Sequence, residues 1–308
     1  MAVYEIGNYI HDMRVERGYS QEELCFGICS VGNLSKIENG MRLPNRKTVE
    51  AFTQRLGCRE VFLQYSSREE MRQIEICSQI TQKIENYEYE GLEELIEQFE
   101  NTIAKGDVLN SQYCRFTKAI LNQQKTSDWE RGIQELKEIL RMTKPKEMDW
   151  KEILKGPFTY NEMVILINIA RDYGKLGKRQ NAIEILYGLK KYMDTHMIDM
   201  EEKIQKYPMI LFGLSNLLLD ERQYQEVVEL CNQGIAISKE SGRPCLLPKF
   251  LSNKGFALLE LQKKEQAKES LIKGYCAFYA LENKKQCRRL GAYLKENLGM
   301  ESIVLCEC

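Results

Sequence analysis

Lys36, Asn33 and Val31 lie within one short segment, residues 30–38, and their chemistries complement the edges of nucleobases. A lysine ammonium can donate to guanine O6 and N7. An asparagine amide can pair with an adenine edge if it points into the groove, and a valine can pack on a thymine methyl. Gly32, between them, permits close backbone approach and costs on the order of 1 kcal/mol in helix propensity. Such groups read bases only when a rigid element holds them clear of the rest of the chain.

The flanking residues supply that element. Ser20 and Glu23 form a Ser-x-x-Glu capping box that opens a helix, on which Leu24 and Ile28 make one apolar stripe. After a tight bend Ser30 caps a second helix, with Leu34 and Ile37 facing inward at three-residue spacing. Asn39-Gly40 ends it, because both residue types tolerate the left-handed conformation of a helix stop. Two short helices crossing steeply leave the second exposed, able to enter a major groove. A first helix carrying Ile6, Ile10 and Met13 precedes them. Residues 46–56 form another, with Val49, Phe52 and Leu56 at helical spacing, stopped by Gly57. A DNA-binding domain is therefore expected over 1–64, with 58–66 as connector. Ser67-Arg-Glu-Glu70 is a second capping box, opening a further domain over 67–308.

The SQEEL start, the LSKIENG core and the following R-x-P resemble the helix-turn-helix of phage repressors (Cro/C1 repressor-like) and of xenobiotic-response-element (XRE) type regulators. The resemblance implies a recognition helix at 30–38, capped by Ser30. It places Val31, Gly32, Asn33, Ser35 and Lys36 at exposed positions near base edges or adjacent phosphates. Gln21 and Arg42 would hold phosphates, which fixes position but carries no sequence information. One departure stands out. The stretch from Leu24 to Glu38 is one residue shorter than in phage repressors and lacks their turn glycine, so Gly27 is expected inside the second helix. The short Ile-Cys-Ser turn looks like the variant of the PlcR-type pheromone receptors. With only two good hydrogen-bonding side chains, part of the selectivity is expected from DNA shape.

The 308 residues carry a formal net charge of -1, so no global basic field attracts nucleic acid. The first 65 residues hold eight Lys/Arg and eight Asp/Glu. A neutral head gains little from counterion release, so tight binding calls for two heads on one duplex, hence a homodimer. Eleven cysteines, odd in number and scattered singly without a secretory signal, read as reduced core thiols of a cytoplasmic protein. No run approaches the length of a membrane span, and no membrane partner is expected. Cys306-Glu307-Cys308 lacks a second ligand pair and reads as a frayed tail rather than a zinc site. His11 and His196 lie far apart, with no nucleophile motif or paired carboxylates around them. No catalytic residue, metal or cofactor is expected, and an enzyme is disfavoured.

Helical periodicity runs along the whole chain without strand alternation, which predicts an all-α fold. Three antiparallel helix pairs share a register. Ala170, Tyr173, Ala182 and Leu186 fill it in 160–195; Ser215, Leu218, Val227 and Cys231 in 208–238; Gly255, Leu258, Ala267 and Leu271 in 248–281. Small residues at the first and third slots let two helices approach closely, and larger ones fill the groove between pairs. Segments 68–86, 90–105, 111–124 and 128–142 read as two earlier, eroded pairs, and 284–298 as a capping helix. The pattern is similar to a degenerate tetratricopeptide repeat (TPR), its third slots lying 45 and 40 residues apart at 182, 227 and 267, against a usual period of about 34. It implies a right-handed TPR-like α-solenoid after the helix-turn-helix domain. The inner face of such stacked pairs suits an extended peptide. Its slots hold Asn168 and Arg171, then Phe212 and Asn216, then Asn253 and Phe256. Asparagines can hold a peptide backbone, Arg171 a C-terminal carboxylate, and the phenylalanines can form apolar pockets.

A head of this type on a degenerate TPR solenoid resembles the Rgg/PlcR/PrgX group of Gram-positive peptide-pheromone receptors. That resemblance implies a quorum-sensing transcription regulator: a dimer that binds double-stranded DNA and a short signalling peptide, imported after secretion. The peptide would favour one arrangement of the solenoids and so set the spacing of the two heads. The alternative that stays open is a repressor whose solenoid binds a protein partner, or only its own twin, with no peptide ligand.

Overall fold

The structure is a computed structural model that describes residues 3–57, 68–85, 88–144 and 150–298. Every regular element among them is helical, which gives an all-α fold, a helix-turn-helix followed by helical hairpins. The connector 58–66, the capping box at Ser67 and the terminal Cys306-Glu307-Cys308 lie outside the described residues. The chain divides into two compact units between Asp199 and Met200.

The first unit begins with α1 (Val3–Glu16), α2 (Gln21–Cys25), α3 (Val31–Glu38) and α4 (Arg46–Leu56). They close around Ile6, Ile10, Leu24, Leu34, Ile37, Val49, Phe52 and Leu56, all buried. Local sequence sets the boundaries: Ser20, Ser30 and Asn45 accept from backbone N–H groups at the starts of α2, α3 and α4. Gly57 ends α4 at φ 62°. There follow α5 (Arg68–Glu85), α6 (Leu92–Glu100) and α7 (Val108–Thr126), packed around Ile80, Ile96, Phe99 and Cys114. Then come α8 (Trp129–Leu140), the single turn α9 (Trp150–Ile153), α10 (Tyr160–Lys175) and α11 (Arg179–Thr195). α8 packs on both α7 and α10, and α10 on α11. The one-turn α9 is too short to register as periodicity.

The second unit comprises α12 (Met200–Asp220), α13 (Tyr224–Glu240), a 3-10 turn at Pro244–Leu246, α14 (Leu247–Glu260), α15 (Lys264–Ala280) and α16 (Lys284–Leu298). Neighbours pair in chain order. The sequence pattern starts this hairpin at Pro208, yet α12 opens at Met200 and carries Pro208 in its interior. A proline there removes one backbone hydrogen bond, which masks the helix in the sequence.

All twelve slots of the repeat register are buried, in both units. A Cβ on Gly255 would fall 2.5 Å from Leu271 Cγ, so the small first slot does permit the close approach of α14 and α15. The hairpin turns share one device, a left-handed residue: Ser127, Gly177, Arg222, Gln262 and Glu282, with φ between 53° and 73°.

Candidate DNA interface

The capping box of α2 is fully formed, Ser20 N donating to Glu23 Oε2 (2.7 Å) and Glu23 N to Ser20 Oγ (3.1 Å). The Ser20 backbone N–H, then its hydroxyl, hold the Glu23 carboxyl below its ordinary range. α2 ends at Cys25, earlier than expected, and Gly27 lies in the turn at φ 69° rather than inside the helix. The cause is both local and distant: a Cβ on Gly27 would sit 2.2 Å from the Thr143 Cα after α8. Only glycine satisfies that φ and that contact together. Ile28, placed by the sequence on the helical stripe, packs on the head core from the turn.

Ser30 then starts α3, accepting from Asn33 N at 3.2 Å. Leu34 and Ile37 anchor the helix, while Val31, Gly32 and Lys36 are exposed and Asn33 and Ser35 half-exposed. A Cβ on Gly7 would lie 2.0 Å from the Ile37 carbonyl oxygen, so α1 presses directly on the last turn of α3. Asn39 returns its amide to Ser35 O at 2.8 Å, and Gly40 takes the left-handed conformation at φ 69°. Arg42, exposed, folds back along α3 and donates from Nη1 to Asn33 Oδ1 at 2.9 Å.

Gln21, expected to hold a phosphate, is half-buried at the start of α2. Its Nε2 donates to Glu38 Oε2 at 2.6 Å. Glu38 is 4 % exposed and also takes a two-pronged contact from Arg14, at 2.6 and 3.0 Å. That contact raises the Arg14 pKa above its ordinary value. A buried carboxylate needs such donors, and Gln21 is one of them. The sequence pattern missed the cluster because its members are 17 and 24 residues apart.

A second cluster joins the head to the hairpins of its own unit. Arg55, 1 % exposed, projects from α4. Its Nη1 donates to Leu24 O and Phe26 O, both at 2.8 Å, and so holds the turn after α2. Its Nη2 donates to Thr143 O at 3.0 Å and to Glu162 Oε1 at 2.8 Å. Glu162 is fully buried; with Thr159 it forms the capping box of α10. Lys144 Nζ lies 3.4 Å from its second oxygen. Burial pushes the Glu162 carboxyl up, but Arg55 and Lys144 outweigh it and the net shift is downward. Burial likewise lowers Lys144, to about 8. Nearby, Gln54 Oε1 accepts from Tyr160 N at 3.0 Å, Arg17 donates to Leu56 O at 2.6 Å, and Gly57 packs against the Met197 carbonyl. Thr-x-x-Glu at 159–162 is readable as a helix start, whereas nothing local announces its pairing with Arg55.

The six hairpin residues singled out by the register fall into different settings. In the first unit, Asn168 is half-buried and donates to Val164 O on its own helix at 2.8 Å. Arg171 is exposed and bonds to Asp172 Oδ1 (2.9 Å) and Gln123 Oε1 (2.5 Å), its guanidinium 6.0 Å from the Trp129 ring. Asp172, buried, also accepts from Gln123 Nε2 at 2.5 Å; its pKa is raised, by burial above all. In the second unit, Phe212 is half-buried, edge-on to Phe250 with Lys249 5.4 Å from its ring. Asn216 is exposed. Asn253 is buried rather than open to a groove, its amide donating to Ser215 Oγ (2.9 Å) and Asn216 Oδ1 (2.8 Å). It thereby ties α14 to α12. Phe256 packs edge-on against Tyr293 in the cluster between α14, α15 and α16. Among the described residues no group of three or more His, Cys, Asp or Glu is placed to hold a metal ion. No helix there is long and apolar enough to cross a membrane.

These features define a helix-turn-helix head with an exposed second helix, carried by an all-helical array of hairpins. Residues 10–63 match the helix-turn-helix family model. No curated protein matches the sequence. Among solved structures, the chain is similar to PlcR of Bacillus thuringiensis in complex with the peptide PapR7 and DNA. The TM-score is 0.60 at 19% identity, over 93% of this chain and 99% of that one. The apo form of PlcR gives a TM-score of 0.59 at 19% identity, over 94% and 98%. ComR from S. thermophilus, in complex with DNA and its signalling peptide ComS, gives 0.52 at 17% identity, over 93% and 97%. At these identities the likeness is one of fold.

Proposed function

We propose that this chain is a sequence-specific DNA-binding transcriptional regulator that works as a homodimer under the control of a short peptide. The observation that carries the DNA reading is the outer face of α3. Leu34 and Ile37 lock the helix to the core, so that Val31, Gly32, Asn33 and Lys36 are presented outward at fixed positions. The helix-turn-helix family match over residues 10–63 supports it. Control by a peptide is supported by the fold shared with PlcR and ComR, each of which is described in complex with DNA and a peptide. Peptide contacts are proposed in each unit by itself, at Asn168 and Arg171 on α10 and at Phe212 and Asn216 on α12. Asn253 would orient Asn216, and Phe256 would stiffen the floor beside it. The regulator is proposed to act in the cytoplasm.

The test is a titration of the purified full chain against genomic duplex fragments, including those flanking its own gene, at several salt concentrations. A salt-sensitive complex with a subset of fragments, shifted by extracts of spent medium, is expected. Binding that is equal on all fragments, or absent with and without extract, refutes the reading. Asn216→Ala is expected to weaken the response to extract and leave basal DNA binding unchanged.

A further inference from the structure

Arg42 lies outside α3, and its sequence position alone suggests a phosphate anchor on the flank of the duplex. Its side chain folds back along α3. The backbone N–H groups of Met41 and Arg42 both donate to Lys36 O, at 2.8 and 3.2 Å, so the chain after Gly40 is tied back onto α3. From there the side chain runs toward the start of the helix and meets Asn33, in its first turn. The N-terminal residues of a recognition helix are those that reach base edges. Among the described residues no carboxylate pairs with Arg42, and the residue is exposed.

The hydrogen-bond inventory of the pair then sets what it can read. Arginine has five N–H donors and no acceptor, so the Asn33 atom that faces it must be the carbonyl oxygen. That leaves the outward edge with N–H groups alone, from the remaining guanidinium donors and the Asn33 amide. In the major groove only guanine offers two adjacent acceptors, N7 and O6; adenine and cytosine present a donor that this edge would oppose. Asn33 by itself would suit adenine, but that match needs the same oxygen to accept from adenine N6. We infer that Arg42 is a base-reading residue selective for guanine, with Asn33 as the residue that positions it. The inference rests on the DNA-binding reading and adds to it one guanine in each half-site, beneath the first turn of α3.

The experiment starts from the full chain and a randomised duplex library, which yields the preferred site. Each guanine of that site is then replaced in turn by 7-deazaguanine, which lacks the N7 acceptor, and by adenine. Wild type is expected to lose about 10- to 100-fold in affinity at one guanine per half-site. Arg42→Lys keeps the charge but not the planar fork, so it should bind the native site more weakly and lose most of the discrimination at that guanine. Asn33→Ala, which leaves Arg42 in place, should relax discrimination at the same position. If Arg42→Lys binds as wild type does, or Arg42→Ala weakens every duplex equally and lowers the salt slope by about one, Arg42 is a phosphate contact and the inference is wrong. If wild type selects no site at all, the DNA-binding reading fails first and takes this one with it.

Discussion

Replacing Glu162 by glutamine removes the negative charge that Arg55 and Lys144 both face, and changes almost nothing in shape. Two cations then stay buried without their counter-charge, a situation that costs about 3–5 kcal/mol when one partner of an interior ion pair is removed. For a unit of this size, 1 kcal/mol corresponds to roughly 2–4 °C. The melting temperature of the first unit is therefore expected to fall by roughly 6–20 °C in Glu162→Gln. Arg55→Met should be worse, because the same guanidinium also serves the carbonyls of Leu24, Phe26 and Thr143. Each buried acceptor left unpaired adds about 1–3 kcal/mol. The pH dependence has a definite sign. The Glu162 carboxyl titrates below its ordinary value in the folded chain, so its contribution is complete at neutral pH and is lost as pH falls through that depressed value. Calorimetry of the full chain between pH 3 and 8 should show wild type and Glu162→Gln converging toward the acid end. A melting shift under 2 °C at pH 7, or a milder effect of Arg55→Met than of Glu162→Gln, would refute the reasoning.

Lys144 gives a pH dependence of the same sign in a more alkaline window. Its ammonium, buried, loses its proton near pH 8 instead of about 10.5, so the unfolded chain binds more protons between those values and stability from this group rises with pH. Wild type should gain on the order of 3 kcal/mol over that interval relative to Lys144→Met, as read by urea midpoints. Gly27→Ala should lower stability by more than about 2 kcal/mol in thermal melts, since the strained φ and the Thr143 backbone both exclude a Cβ. Conversely, Glu282→Gly at a solvent-exposed hairpin turn should raise stability by up to about 1 kcal/mol, by relieving a left-handed residue that carries a side chain.

Much of the head is legible in the sequence because its punctuation is local. Ser20, Ser30 and Gly57 act within four residues of themselves, and the structure places each at a helix boundary. The hairpin register is legible for a similar reason, as its third slots Ala182, Val227 and Ala267 are all fully buried. What local rules miss is set by distant partners. α2 stops before Gly27 because Thr143 lies against that glycine. Arg55 meets Thr143 and Glu162 across 88 and 107 positions. Asn253 shows the limit for site residues: the same side chain serves a groove or a helix contact, and only its neighbours Ser215 and Asn216 decide which.

The guanidinium of Arg55 has a practical corollary for anyone exchanging parts between regulators. A fragment cut after Gly57 would expose that cation's unmet valences and shed the surface on which its second-helix turn rests. Chimeras that swap reading specificity should therefore carry everything through Asp199 as one cassette, with the seam placed ahead of Met200.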